Sequence, residues 1–517
     1  MALVGAVMAL GACVPVDSEH TGPNASPALQ THQQAIEPGT EEELIEAVEL
    51  YARTSAEQFT IATDPLERGD TLVPGIFVRG LVDAGEFETL FLFADESFEA
   101  ERDRVFGAGL GPAPENPAHP SPTARLQLGE RGGLDSSSCR SCHFNGGPDG
   151  GGTFSQLGLF RSDGQTLGSS TQRDAPHVMG LGYLALVARE IEVELELEIA
   201  LAHDLAQFTG EPETAFLDAK GIYYGEVTVF PDGSVDAEGL TTISHDFKVR
   251  PFGFKGRHGD LVALSDEAFQ LHHGMQSMSR TEVFDDRADE YLGDGSNYFD
   301  RDDDGIQSES TPGQAVLMAS YLSMLGTPSN RPPEDPELVL VWAQGRRLFT
   351  EIGCEGCHRS ELSFQDYNTH LQSQGTDDLF ITIDLGVAGI DPVPRDIDFT
   401  PDPEGFIPNG VPFYPFTDLR RHDMGPELAE PVAEVLPEPE GGEVAGNLWM
   451  TRPLWGLADT PPYLHDGRAP TVHDAILWHG GESAESRDAY AALDDDEQGA
   501  LRVFLMSLTR EPVMLVE

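Results

Sequence analysis

Basic residues are scarce in this chain. Only 31 Lys and Arg stand against 89 Asp and Glu in 517 residues, a formal net charge of −58. That balance excludes nucleic acid as a natural partner and repels anionic membranes. It suits either docking by a basic protein or an acidic surface adapted to high salt. Long apolar runs are missing too: after residue 12 no stretch is long enough to span a bilayer. Cysteine is also rare, with five in all. Four of them fall in two pairs, each followed by a histidine, which neither a zinc pair nor a disulfide requires.

Those pairs are Cys139-Arg140-Ser141-Cys142-His143 and Cys354-Glu355-Gly356-Cys357-His358. C-x-x-C-H is the attachment signature of a c-type haem. Cys139, Cys142, Cys354 and Cys357 would add across porphyrin vinyl groups, and His143 and His358 would become proximal iron ligands. The spacing is fixed because two thioethers and one Fe–N bond must meet a single planar ring. The expected cofactors are two covalently attached haem c groups, and the 55 Gly and 37 Pro fit backbone that wraps cofactors.

The fifth cysteine closes an uncharged apolar start, Leu10-Gly11-Ala12-Cys13, which resembles the lipobox of bacterial lipoproteins. The usual basic residues are absent, since no Lys or Arg precedes Arg53. A plain secretory peptide with an incidental cysteine is the alternative. Either way export to the periplasm or cell envelope is expected, with membrane contact only through the lipid on Cys13. The expected organisation is a signal segment over 1–13, a flexible tether over 14–40, an N-terminal haem c domain with insertions over 41–331, and a C-terminal haem c domain over 332–517. Glu41 to Phe59 has helical spacing. Phe77 to Phe93 reads as short strands or a turn-rich segment, and Ile191 to Leu205 as helix or strand. Tyr223 to Phe230 with Pro231-Asp232-Gly233 reads as part of a hairpin. Pro312 to Leu325 is predicted helical, with Thr311 as cap and Pro312 at the first position.

Two echoes link the halves. Tyr321-Leu322-Ser323-Met324-Leu325 parallels Phe504-Leu505-Met506-Ser507-Leu508, and Arg173 to Leu181 parallels Arg452 to Leu457. Together they predict a mainly α fold of two cytochrome-c-like haem domains, with long irregular loops and a minor β-hairpin element.

The chain resembles the di-haem oxidoreductases related to bacterial di-haem cytochrome c peroxidases and MauG-type enzymes. The matching stretches are the Gly109-Leu110-Gly111-Pro112 run, Arg173 to Gly182, Arg250 to Lys255, Thr417 to Gly425 and Arg452 to Gly481. Pro461 to Gly481 is the most specific of them. There Tyr463-Leu464-His465-Asp466-Gly467 leads to His479, where the peroxidase branch has a ligating methionine. The resemblance implies bis-histidine ligation of the second haem by His358 and His479. It also implies reduction of hydrogen peroxide at the first haem, with electrons from a donor protein, a basic cytochrome, entering at the second. MauG-like oxidation of a protein or organic substrate, and a purely electron-transferring di-haem cytochrome, are the alternatives.

The family's distal glutamate lies in a Phe-Trp-Asp-Gly-Arg context absent here. Glu190 occupies a similar place as candidate catalytic acid-base, or is a solvated carboxylate. His272 is a candidate ligand of the first iron, with His273, Met275 and His177 as alternatives. His422 and Met424 read as structural groups at the domain junction, and His465 as packing near the second haem. Asp300, Asp302 and Asp304 match the first half of an EF-hand loop and are candidate calcium ligands, or an acidic turn.

Overall fold

The computed structural model describes residues 75–99, 136, 138–152, 159–160, 171–273, 275, 310–330, 332–333, 335–373, 379–388, 410–431, 433–436 and 442–510. Cys13, the tether, the Gly109 to Pro112 run and the Asp300, Asp302 and Asp304 loop lie outside these residues. Among the described residues helix dominates, and the strands form two- and three-stranded sheets. No helix among the described residues is long and apolar enough to cross a membrane.

The first described elements are α1 (Gly75–Ala84) and α2 (Phe87–Glu99), separated by Gly85 in the left-handed region. This corrects the strand or turn reading of residues 77–93. Phe77, Val78 and Leu81 in α1, and Leu90, Phe91, Ala94 and Phe98 in α2, are all buried at helical spacing. Next comes the 3-10 turn of the first haem motif, Cys139–Ser141. The stretch around Ile191 to Leu205 belongs to a single 29-residue helix, α3 (Leu181–Thr209). It starts at Gly180, whose φ of 73° and contact with the Trp455 ring leave no room for a side chain.

The predicted hairpin is present, but the strand that contains Tyr223 also pairs, over more residues, with a strand that precedes it. Strand Glu213–Ala219 pairs antiparallel with Ile222–Val229, and Val235–Asp236 adds a short third strand beyond the Pro231 to Gly233 turn. Helix α4 (Leu261–His273) follows, then α5 (Pro312–Met324), which bears out the predicted start. Thr311 Oγ1 accepts a hydrogen bond from the Gln314 amide at 3.2 Å, with Pro312 at the first position. Strand Ser329–Asn330, between the two halves, pairs with Leu508–Thr509 at the end of the described chain.

Helix α6 (Pro336–Glu351), capped by Asp335, leads into the second 3-10 turn, Cys354–Gly356. The C-terminal part carries α7 (Val472–Trp478), α8 (Ala484–Ala492) and α9 (Asp495–Leu505), the last opened by an Asp494 and Glu497 capping box. The larger core unites α1 to α5 with strands between 362 and 413. The smaller joins Phe349 of α6 to Phe416, Val472, Tyr490 and Phe504. Burying each phenylalanine there contributes about 1.5–3 kcal/mol.

Candidate haem sites

The second motif forms a tight turn in which the amides of Cys357 and His358 donate to the Cys354 carbonyl at 3.3 and 2.9 Å. Cys354, Cys357, His358 and His479 all line one cavity of about 370 Å³, within the ~300–1,000 Å³ of cofactor pockets. Its walls include Leu454, Leu457, Val472, Ile476 and Leu501. His358 Nδ1 donates to the Phe416 carbonyl at 3.0 Å, and His479 Nδ1 to the Ala475 carbonyl at 2.8 Å. A carbonyl can only accept, so both rings keep their proton on Nδ1 and leave Nε2 free for a metal. Burial holds the His358 imidazole down to about 4, with His479 close by adding to the effect; burial also lowers His479. Both are neutral at pH 7, as ligands must be.

The cavity suits a haem in charge as well as size. Arg452 lines it, with its guanidinium 5.3 Å from the Phe254 ring centre and no ion-pair partner among the described residues. Burial alone pulls its pKa down to about 10. An unpaired buried cation is expensive, and a haem propionate is the anion this site would receive. Sequence inspection passed over Arg452, although it heads the second Arg–Pro echo.

His422, read as structural, also faces this cavity. It bonds Asp418 Oδ2 and Glu482 Oε2, both at 2.9 Å. Burial opposes its charge, but the hydrogen bonds to Asp418 and Cys357 outweigh it and raise the imidazole to about 10. Met424 lines the same wall, its Sδ accepting from Ser483 Oγ at 3.7 Å. His465 stacks on Trp449 at 4.0 Å between ring centres. The fully buried Lys255 ammonium sits 3.5 Å from the centre of that Trp449 ring and donates to the carbonyls of Ala445, Gly446 and Leu448.

The first motif repeats the turn: the amides of Cys142 and His143 donate to Cys139 O at 3.1 and 3.0 Å. Burial drives His143 down to about 4, and His272 lies close enough to depress it further. Its Nδ1 is buried without a hydrogen-bond partner, although the carbonyls of Pro176 and Gly150 are near. The proximal ring is thus less firmly pinned here than at the second site. The structure separates the alternatives at the end of α4. His272 is the one of these three that lies near enough to His143 to depress its pKa. His273 turns to Cys139 Sγ at 3.5 Å and to Ser136 O at 3.0 Å, and Met275 is sealed in the apolar core. His177 is buried, lines the second cavity and lies near His143.

Glu190 is held through both of its carboxylate oxygens. One carboxylate oxygen pairs with Lys220 Nζ at 2.5 Å, and the other accepts from the amides of Gln365 and Asp366 at 2.6 and 3.0 Å. With both oxygens engaged, it braces α3 against the Gln365 loop.

Residues 403–508, about a fifth of the chain, match the family model described as "Di-haem oxidoreductase, putative peroxidase". No curated protein matches the chain. Among solved structures, a hydrazine synthase from Kuenenia stuttgartiensis is 13% identical over 81% of this chain and 87% of that one, with a TM-score of 0.31. A MauG-like protein associated with microbial copper homeostasis is 16% identical over 65% of this chain and 89% of that one, at 0.24. At such scores neither adds to the argument. The family match is the informative one, because its span contains His422, Arg452 and His479 and so covers one wall of the second cavity. The resemblance first read from Pro461 to Gly481 therefore stands, and residues 403–508 are similar to the di-haem oxidoreductases, a family with a haem-dependent redox role.

Proposed function

We propose that this protein is an exported di-haem c-type oxidoreductase that reduces hydrogen peroxide at its first haem, with electrons entering at the second. The observation that carries the reading is the asymmetry of the two sites. At the second, two neutral imidazoles share one cavity with their Nδ1 protons locked on carbonyls, which suits a saturated electron-transfer centre. At the first, His143 has an unpinned Nδ1 and its neighbour His272 stands at the last turn of α4, which suits an exchangeable sixth position. Haem, when bound, supplies the one-electron redox chemistry. The chain's part is to attach it through Cys139, Cys142, Cys354 and Cys357, to orient it through His143, His358 and His479, and to neutralise a propionate with Arg452. Export with a lipid on Cys13, calcium at Asp300, Asp302 and Asp304, and a basic cytochrome as donor complete the proposal on sequence grounds.

A second reading, a plain two-haem electron carrier, draws support from the nearness of His272 to His143, since two histidines would saturate that iron as well. Titrating the half-reduced protein with hydrogen peroxide decides between them. The peroxidase reading expects a spectral change at one haem only and consumption of peroxide in step with oxidation of an added donor. Two haem spectra that ignore peroxide would leave the electron carrier standing.

A further inference from the structure

The two halves place rings in the same way around their proximal histidines, with one difference. In the second half, Phe349 of α6 lies 6.5 Å from the His358 ring and 5.3 Å from Phe504 of α9. In the first, Phe98 of α2 lies 5.9 Å from the His143 ring and 5.2 Å from Tyr321 of α5. Tyr321 thus stands where the other half has Phe504, as the sequence echo also aligns them. The added hydroxyl is 1% exposed with its residue, and it meets two carboxylates: Asp149 Oδ1 at 2.7 Å and Asp95 Oδ1 at 2.9 Å. A phenol has one proton to donate. Two acceptors at hydrogen-bond distance therefore leave a base in hand for that proton wherever it goes.

We infer that Tyr321 is a redox-active tyrosine that lends an electron to the first haem site while Asp149 or Asp95 takes its proton. The inference rests on the peroxidase reading. Reducing one hydrogen peroxide to two waters needs two electrons and two protons; the protons come from solvent water, and a second haem holding one electron supplies only half of the electrons. Tyr321 supplies the other: its O–H bond breaks, the proton moves to a carboxylate oxygen, and the electron passes by way of the Phe98 and His143 rings. The neutral phenoxyl left behind recovers an electron from the donor protein and its proton from the same carboxylate. Without an adjacent base the oxidised phenol would keep its positive charge in a buried site, which is unfavourable. Phe504, with no hydroxyl, cannot do this. Trp449 is poorly suited as well, because the Lys255 ammonium beside its ring opposes loss of an electron.

The test uses the haem-loaded protein, half-reduced so that the second haem holds one electron, treated with one equivalent of peroxide without donor and frozen rapidly for electron paramagnetic resonance. A tyrosyl signal is expected, narrowed when the protein carries ring-deuterated tyrosine and lost in Tyr321→Phe. That variant installs the side chain already present at the equivalent place in the second half, so both haem spectra should stay unchanged. Asp149→Asn combined with Asp95→Asn keeps the phenol but removes its bases, and should also lose the signal. An undiminished signal in Tyr321→Phe, or no tyrosyl signal in a wild type whose haem absorption responds to peroxide, overturns the inference. A wild type whose absorption ignores peroxide fails the peroxidase reading itself, and the inference with it.

Discussion

His479 occupies the C-cap of α7, where the end of a seven-residue helix and its own bond to Ala475 fix the ring at the cavity. His479→Gly should therefore turn one low-spin haem high-spin and leave the other unchanged, read by absorption and paramagnetic resonance. Attachment should survive, since Cys354, Cys357 and His358 remain. If both irons keep their spectra, Met424 in the same wall is the next ligand to test. Asp174 gives a second prediction at this scale. It is buried with Oδ1 lacking a partner, and burial raises its pKa from 3.8 to about 7, with Asp466 adding to the rise. A carboxyl raised on folding costs nothing below the unfolded value; the cost grows as pH climbs and is complete above about 7. Asp174→Asn should therefore melt later than wild type at pH 8 and alike at pH 4, with a ceiling of about 4 kcal/mol. A variant equally shifted at both values would place the effect elsewhere. The two C-x-x-C-H motifs were legible in the sequence because the covalent attachment they imply would fix their spacing. Arg452 and Asp174 were not, because what marks them is burial without a partner, which no local pattern reports.

At the scale of elements, legibility followed the caps. Thr311 with Pro312 announced α5, since side-chain capping is a local interaction that sequence records directly. Segment 77–93 was misread because its phenylalanines, valines and glycines favour strands and turns, while tertiary burial of Phe77, Leu81, Leu90 and Ala94 imposes helix. The crossing of α6 with α9 was hidden as well. It depends on Gly345, where an added Cβ would lie 2.0 Å from the Ala500 carbonyl oxygen. In an isolated helix Gly345→Ala would stabilise by about 1 kcal/mol through propensity. Here the contact is with backbone that cannot rotate away, and overpacking of this kind costs about 1–3 kcal/mol. The expected sign is loss: a lower melting temperature and a disturbed second haem spectrum, with the first haem unaffected. A rise in melting temperature would show that the two helices have room to separate.

Over the whole molecule, charge is divided between inside and outside. The halves are joined by cations: Arg173 bonds Glu430 and Glu434, Arg257 donates to the Val435 carbonyl, and Lys255 and Arg421 reach backbone carbonyls across the junction. Arg173, Arg250, Lys255 and Arg421 are all buried, so they do little to offset acidity at the surface. Asp149, Asp174, Asp266, Glu267, Asp418 and Glu434 are buried as well, so burial leaves the acidic excess of 89 over 31 essentially as the composition gives it. The composition showed the excess, but only the fold shows that part of the small basic complement is held inside. On the proposal that the donor is a basic cytochrome, such a surface would steer it at long range, and that attraction is screened over about 30 Å at 0.01 M salt and about 8 Å at 0.15 M. The association rate with a basic donor, followed by stopped-flow oxidation of that donor, should then fall steeply between those salt concentrations. The rate of electron transfer within the formed complex should change little, because the buried cations that join the halves are far less screened than surface groups. An association rate indifferent to salt would mean that the acidity serves solubility in high salt and that the donor docks through apolar contacts instead.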